Sequence, residues 1–210
     1  IAFSGESGYC DEAELKIDLQ NLGSLPLTEA EIKVFLNDDV ILQYEWTGEL
    51  ATYEIETDTL GNVILEGTQT LDIAITSDQE LSYGSISQTM TPSKEGTTLV
   101  NLRLKLDNYP TETKWQIENI DGEILASGGP YPSSMAKQLI EQEFQLNELG
   151  CYSFTIYDEY GDGLNAAAYG GTNGYYQLKS GNIMLLSGGG NKQFKKETTP
   201  FKATEVEIGV

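Results

Sequence analysis

Residues 151–165 read Cys-Tyr-Ser-Phe-Thr-Ile-Tyr-Asp-Glu-Tyr-Gly-Asp-Gly-Leu-Asn. Tyr152, Phe154 and Ile156 fall on one face, Ser153, Thr155 and Tyr157 on the other, and a period of two belongs to a strand with one face in a core. The alternation stops at Asp158, and Gly161 and Gly163 supply backbone that takes positive φ, so a turn follows. Asp158, Asp162 and Asn165 then stand on a glycine-kinked loop at a strand end. Such a loop suits Ca²⁺, which takes several oxygen ligands at adaptable geometry. It is not an EF-hand, because the one-three-five spacing and the acid at position twelve are missing. A second reading stays open at this point: an Asp/Gly turn whose carboxylates accept backbone N–H bonds.

The same period recurs along the chain. Leu15, Ile17 and Leu19 alternate in the segment Glu14 to Gln20. Ile32, Val34 and Leu36 form a strand that turns at Asn37-Asp38-Asp39 and returns through Val40, Leu42, Tyr44 and Trp46 as a hairpin. Shorter strands follow at Tyr53 to Thr57 and Asn62 to Leu65, then a clear one on Leu71, Ile73 and Ile75. Trp46 reads most simply as a core anchor. Residues 77–97 are polar and mark a domain boundary. Beyond them Val100, Leu102, Leu104 and Leu106 alternate strongly, Trp115 and Ile117 open another strand, and Asp121-Gly122 closes a hairpin. The segment from Ser134 to Phe144 fits a short helix or a strand, with a strand favoured at its end. Tyr175 to Lys179 and Ile183 to Leu186 add two short strands. The expectation is an all-β chain of two antiparallel β-sandwich domains in tandem, Ig-like or jelly-roll-like. They are an acidic one over 1–96 and a glycine-rich one over 97–210 carrying the YDEYGDG loop.

Two further features invite binding hypotheses. Tyr169, Tyr175 and Tyr176 either form a platform for a sugar or sit half-buried in a sheet. Val206, Ile208 and Val210 alternate to the last residue, and such a strand needs a sheet edge, in its own domain or in a neighbouring copy. The latter predicts self-association into a homopolymer or filament.

Composition narrows the classes of function. The chain has 210 residues, 39% of them hydrophobic, with no apolar run long enough to span a membrane. No basic-plus-apolar leader opens it, so an exported protein with its signal peptide already removed is expected. Net charge is −21, from 33 acidic and 12 basic residues, and Arg103 is the single arginine. Phosphate-backbone binding requires clustered Lys and Arg, so nucleic acid and anionic membranes are excluded as partners. Histidine is absent, which removes Ser-His-Asp and Cys-His catalysis and histidine-ligated zinc. A carboxylate pair, Asp158 with Asp162 or Glu112, is what remains for an enzyme, and abundant surface acids produce such pairs by chance. Cys10 and Cys151 form one long-range disulfide or stay as two buried thiols.

Two stretches together resemble a known group. NLGSLPLTEAEIKVFLNDDVILQYEWTGEL (21–50) with GTQTLDIAI (67–75) resembles the Ig-like, CARDB-like modules of secreted proteins of the Bacteroidota. LRLKLDNYPTETKWQIENIDGEIL (102–125), CYSFTIYDEYGDGLN and YYQL (175–178) resemble a β-sandwich module that accompanies them. The DNYP-E-T-W and YD-YGDG strings carry that resemblance. It implies extracellular, cell-surface modules that are adhesive, structural or accessory rather than catalytic. It also implies that a bound cation would engage Asp107 and Glu112 together with Asp158 and Asp162. Similar modules have cysteines near positions 145 and 165, where this chain has Gln145 and Asn165, which leaves Cys151 to pair with Cys10 or with nothing. Asp58-Thr59-Leu60 resembles the O-glycosylation signal of the same bacteria, with Thr59 as acceptor.

Overall fold

The computed structural model describes residues 1–77 and 82–205, with side chains described for 1–76 and 84–205. The chain is all-β and divides into two units, Ile1–Pro92 and Ser93–Val210. The division precedes the boundary expected after residue 96. Its reason is local: Lys94–Gly96 is already hydrogen-bonded into the second unit, beside Phe201–Ala203.

The first unit contains strands β1 (Ala2–Phe3), β2 (Gly8–Tyr9), β3 (Ala13–Gln20), β4 (Leu27–Leu36), β5 (Asp39–Leu50), β6 (Ile55–Val63), β7 (Gln69–Ser77) and β8 (Ser82–Pro92). They form a three-stranded sheet, β1-β3-β6, and a five-stranded one, β2-β8-β7-β4-β5. The alternation of β3 places Leu15 and Ile17 inside, against Ile32, Val34, Leu71, Ile73 and Met90. Trp46 is buried with them, as a core anchor should be. Leu36 pairs with Asp39 across a two-residue loop in which Asn37 and Asp38 both have positive φ, 52° and 69°. That is the type I′ turn whose twist suits a hairpin.

The second unit contains β9 (Lys94–Gly96), β10 (Leu99–Lys105), β11 (Thr113–Asn119), β12 (Ile124–Gly128), β13 (Leu139–Gln145), β14 (Gly150–Asp158), β15 (Tyr175–Ser180), β16 (Ile183–Gly189) and β17 (Lys196–Ala203). One sheet runs β13-β10-β15-β16 and the other β12-β11-β14-β17-β9. Between them lies an aromatic core. Trp115 stacks on Phe154 with centroids 6.2 Å apart, and Phe154 meets Tyr176 at 5.3 Å. The Trp115 indole N–H donates to the Tyr131 hydroxyl at 2.6 Å, so the buried ring keeps its polar atom satisfied.

Three expectations need correction or relocation. Pairing is not wholly antiparallel: β2 with β8 and β9 with β17 run parallel, both as short strands. The strand β17 was not expected, because Lys-Glu-Thr-Thr-Pro-Phe-Lys-Ala is mostly polar and Pro200 argues against an inner strand. Yet it lies between β14 and β9, with Phe201 and Ala203 buried. The alternating end at Val206, Ile208 and Val210 lies outside the described residues. Ser133–Met135 is a single 3₁₀ turn and Leu139–Gln145 a strand, as favoured for the end of that segment. Cys10 and Cys151 are each disulfide-bonded, and neither is a free thiol. Among the described residues no helix is long and apolar enough to cross a membrane.

Candidate metal centre

Register brings two distant loops of the second unit to one place. In the β11–β14 pairing Thr113 lies opposite Asp158. The segment that enters β11 (107–112) and the segment that leaves β14 (159–165) therefore meet at the same end of that sheet. The Glu159 N–H donates to the Glu112 carbonyl at 3.1 Å and fastens one segment to the other. Asp107 lies two residues beyond the end of β10, and its carboxylate accepts the Tyr109 N–H at 2.7 Å, which starts the turn through Asn108 and Pro110.

The second loop is shaped by its own acids and glycines. The carboxylate of Asp158 accepts the N–H groups of Gly161 and Asp162. Gly161 and Gly163 have φ of 95° and 70°. Gly163 has a second reason to be glycine: a Cβ there would stand 2.6 Å from the Lys192 carbonyl and 2.8 Å from the Phe194 ring. Leu164, fully buried, pins the loop to the core. Asn165 donates from Nδ2 to the Asn191 carbonyl at 3.4 Å and precedes the 3₁₀ turn Ala166–Tyr169.

Glu112, Asp158 and Asp162 each present a carboxylate oxygen, and these three oxygens lie within 4.8 Å of one another. Asp107 adds a fourth negative charge close enough to act on both Asp162 and Glu112. Asp107, Asp158 and Asp162 are buried and Glu112 is half-buried. At an effective dielectric of about 20, two charges at this spacing repel by on the order of 3 kcal/mol. The electrostatics follow. Burial raises the carboxyl pKa of Asp107 above the ordinary range and Asp162 raises it further, against the Tyr109 N–H. Burial likewise raises that of Asp158, against the N–H donors of its loop. Glu112 is raised by burial and then by Asp158, Asp162 and Asp107.

The alternative of a plain Asp/Gly turn accounts for Asp107 and Asp158, which accept backbone N–H bonds. It does not account for Asp162, which is 4% exposed and whose Oδ1 has no hydrogen-bond partner. None of the ion pairs among the described residues reaches the cluster.

Of the two readings of Tyr169, Tyr175 and Tyr176, the strand reading describes Tyr175 and Tyr176, which do not share a face. Tyr176 is 1% exposed, inside the core, with Glu197 beside its hydroxyl, while Tyr175 faces outward on the same strand. Adjacent strand residues point to opposite faces, a signal the sequence already carried. Tyr169 instead meets Tyr160 edge-on, at 6.2 Å and 84°. Together with Tyr109, Glu112 and Asp162 they line an open recess of about 210 Å³. Tyr109 and Tyr160 were not expected, although each lies within three residues of a cluster acid. Thr59 is exposed on β6 of the first unit, and its N–H donates to the Asp58 carboxylate at 2.8 Å.

No family model and no curated protein matches the chain. Among solved structures it is similar to the fibronectin(III)-like modules of Clostridium thermocellum CbhA, with 10% identity, 97% of this chain and 90% of that chain covered, and a TM-score of 0.26.

Proposed function

We propose that this chain is a non-catalytic extracellular β protein whose second unit holds one Ca²⁺ at a sheet end, where it stiffens the loops that do the binding. The observation that carries this reading is the buried, unpartnered Oδ1 of Asp162 beside the carboxylates of Asp158 and Glu112. Burying an ionised carboxylate without a partner is costly, and a divalent cation removes that cost for all of them together. Calcium holds oxygens at 2.3–2.6 Å, so its ligands lie up to roughly 5 Å apart, which the spacing of the three acids meets. The all-oxygen donor set and the absence of histidine favour a hard cation over zinc or copper. Asp107, tied to the Tyr109 N–H, adds a fourth carboxylate close by.

The engagement of Asp158 disfavours a glycosidase pair. Its Oδ1 accepts two backbone N–H groups of its own loop, Gly161 and Asp162, and so is not a free nucleophile or base. A filament built by terminal-strand addition would depend on Val206, Ile208 and Val210, outside the described residues.

Calorimetric titration of the chelator-treated protein with CaCl₂ tests the centre. One site is expected, with Asp162→Asn abolishing the heat while the far-ultraviolet circular dichroism stays that of a folded β protein. A flat titration of the native chain up to millimolar calcium, with no change in melting temperature, would remove the proposal.

A further inference from the structure

Three exposed tyrosines converge on the edge of the acid cluster, and each belongs to a loop that the cluster holds. Tyr109 lies between Asp107 and Glu112, Tyr160 between Asp158 and Asp162, and Tyr169 ends the 3₁₀ turn that Asn165 precedes. They are 41%, 68% and 54% exposed. The rings of Tyr160 and Tyr169 stand nearly perpendicular, so one offers a face while the other closes a side. Below them the recess reaches Glu112 and Asp162.

From this arrangement, and resting on the calcium reading above, we propose that the recess is a subsite for one pyranose ring of a surface glycan. About 210 Å³ is below the 300–1,000 Å³ of ordinary small-molecule clefts, so the recess takes a single ring rather than a folded peptide segment. Tyrosine presents an apolar face with a polar tip, which matches the C–H face and the hydroxyl edge of a sugar. Calcium takes six to eight oxygens, more than Glu112, Asp158 and Asp162 supply as single ligands, and Glu112 and Asp162 also line the recess. Vicinal hydroxyls entering there complete the ion's coordination. An ammonium group would also suit tyrosine faces, but it carries no lone pair to offer a calcium ion, whereas sugar hydroxyls do, so a neutral polyol is the ligand class that fits.

The loops that carry the tyrosines are the loops that hold the ion, so sugar binding depends on calcium. Saturation-transfer NMR on the intact chain, with a panel of methyl pyranosides (gluco, galacto, manno and N-acetylglucosaminide) and choline as the cationic probe, reads this out. At least one pyranoside gives transfer in CaCl₂ and loses it in EDTA. The double variant Tyr160→Ala/Tyr169→Ala, altered only at exposed side chains, weakens that binding roughly tenfold or more while its calcium titration stays within about twofold of the native one. Silence across the panel with intact calcium binding overturns the subsite and leaves the centre standing. Absent calcium binding overturns the centre itself. Transfer that survives EDTA overturns the dependence on the ion, and transfer to choline alone makes the recess a cation cage.

Discussion

Asp162 is the residue at which local and global demands conflict. Its own N–H helps to satisfy Asp158, and Leu164 draws its loop into the core, so its carboxylate is carried under cover with one oxygen unpartnered. This gives Asp162→Asn a sign that depends on the medium. In chelator the amide removes one charge from a repelling set, and stability should rise by about 1–3 kcal/mol. In excess calcium the native chain gains the binding free energy and the variant does not, so the order reverses. Urea unfolding in both media checks this, and the same order in both would contradict it. Gly163 makes the complementary point about backbone. At φ of 70° an added Cβ is strained, and it would also press on the Lys192 carbonyl. Gly163→Ala should therefore cost about 2 kcal/mol or more and weaken calcium binding, whereas Gly170→Ala, with open space at its Cβ, costs only the positive-φ term. Equal losses at both positions would show that the contact at Gly163 carries no energy.

Among the elements, legibility in the sequence tracks how cleanly one face is buried. β3, β10 and β14 alternate because one side of each lies in a core, and all three were evident from spacing alone. β17 was not, because its inward positions include Glu197 and Thr199 before reaching Phe201 and Ala203. The Glu197 carboxylate pairs with Lys192, five residues earlier, and lies beside the Tyr176 hydroxyl, and the tyrosine is a tertiary neighbour that no local window contains. The centre divides in the same way. Asp158 and Asp162 were legible as a loop at a strand end, but Asp107 and Glu112 entered as cation ligands only through a resemblance. What joins them is the Thr113–Asp158 register, some forty-five residues apart in the chain. The tyrosines show the converse: position along the chain suggested Tyr175 and Tyr176 as a pair, and strand geometry separates them. Because β17 sits between β14 and β9, its aromatic anchor should matter as much as any in the recognised strands. Phe201 is fully buried and stacks on Tyr152 at 5.6 Å. Phe201→Ala should lower the stability of the second unit by about 3–5 kcal/mol, read from the denaturation midpoint. A loss below about 1 kcal/mol would mean that the strand is peripheral to the core.

At the scale of the whole molecule, charge and calcium are one problem. The chain carries 33 acidic residues against 12 basic ones, and a net charge this far from zero opposes compaction through self-repulsion. Most of those acids sit in solvent and behave alike with or without a bound ion, so comparing the two conditions isolates the cluster. Asp107, Asp158 and Glu112 have folded-state pKa values raised above their ordinary 3.8, 3.8 and 4.5. A raised carboxyl means that the ion-free native state binds more protons than the unfolded chain across the window from those ordinary values upward. Its contribution to stability is fully present below that window and is lost as pH rises through the raised values. Calcium requires the same carboxylates deprotonated, so protons and the ion compete. The gap in melting temperature between calcium-saturated and chelator-treated protein should therefore be wide near pH 8 and should close as pH falls toward about 4.5. Binding near the lower end of that range should release protons, visible as a dependence of the calorimetric heat on the ionisation enthalpy of the buffer. A gap that stays constant across this range would mean that calcium acts on the acidic surface at large rather than on the four buried and half-buried acids of one loop cluster.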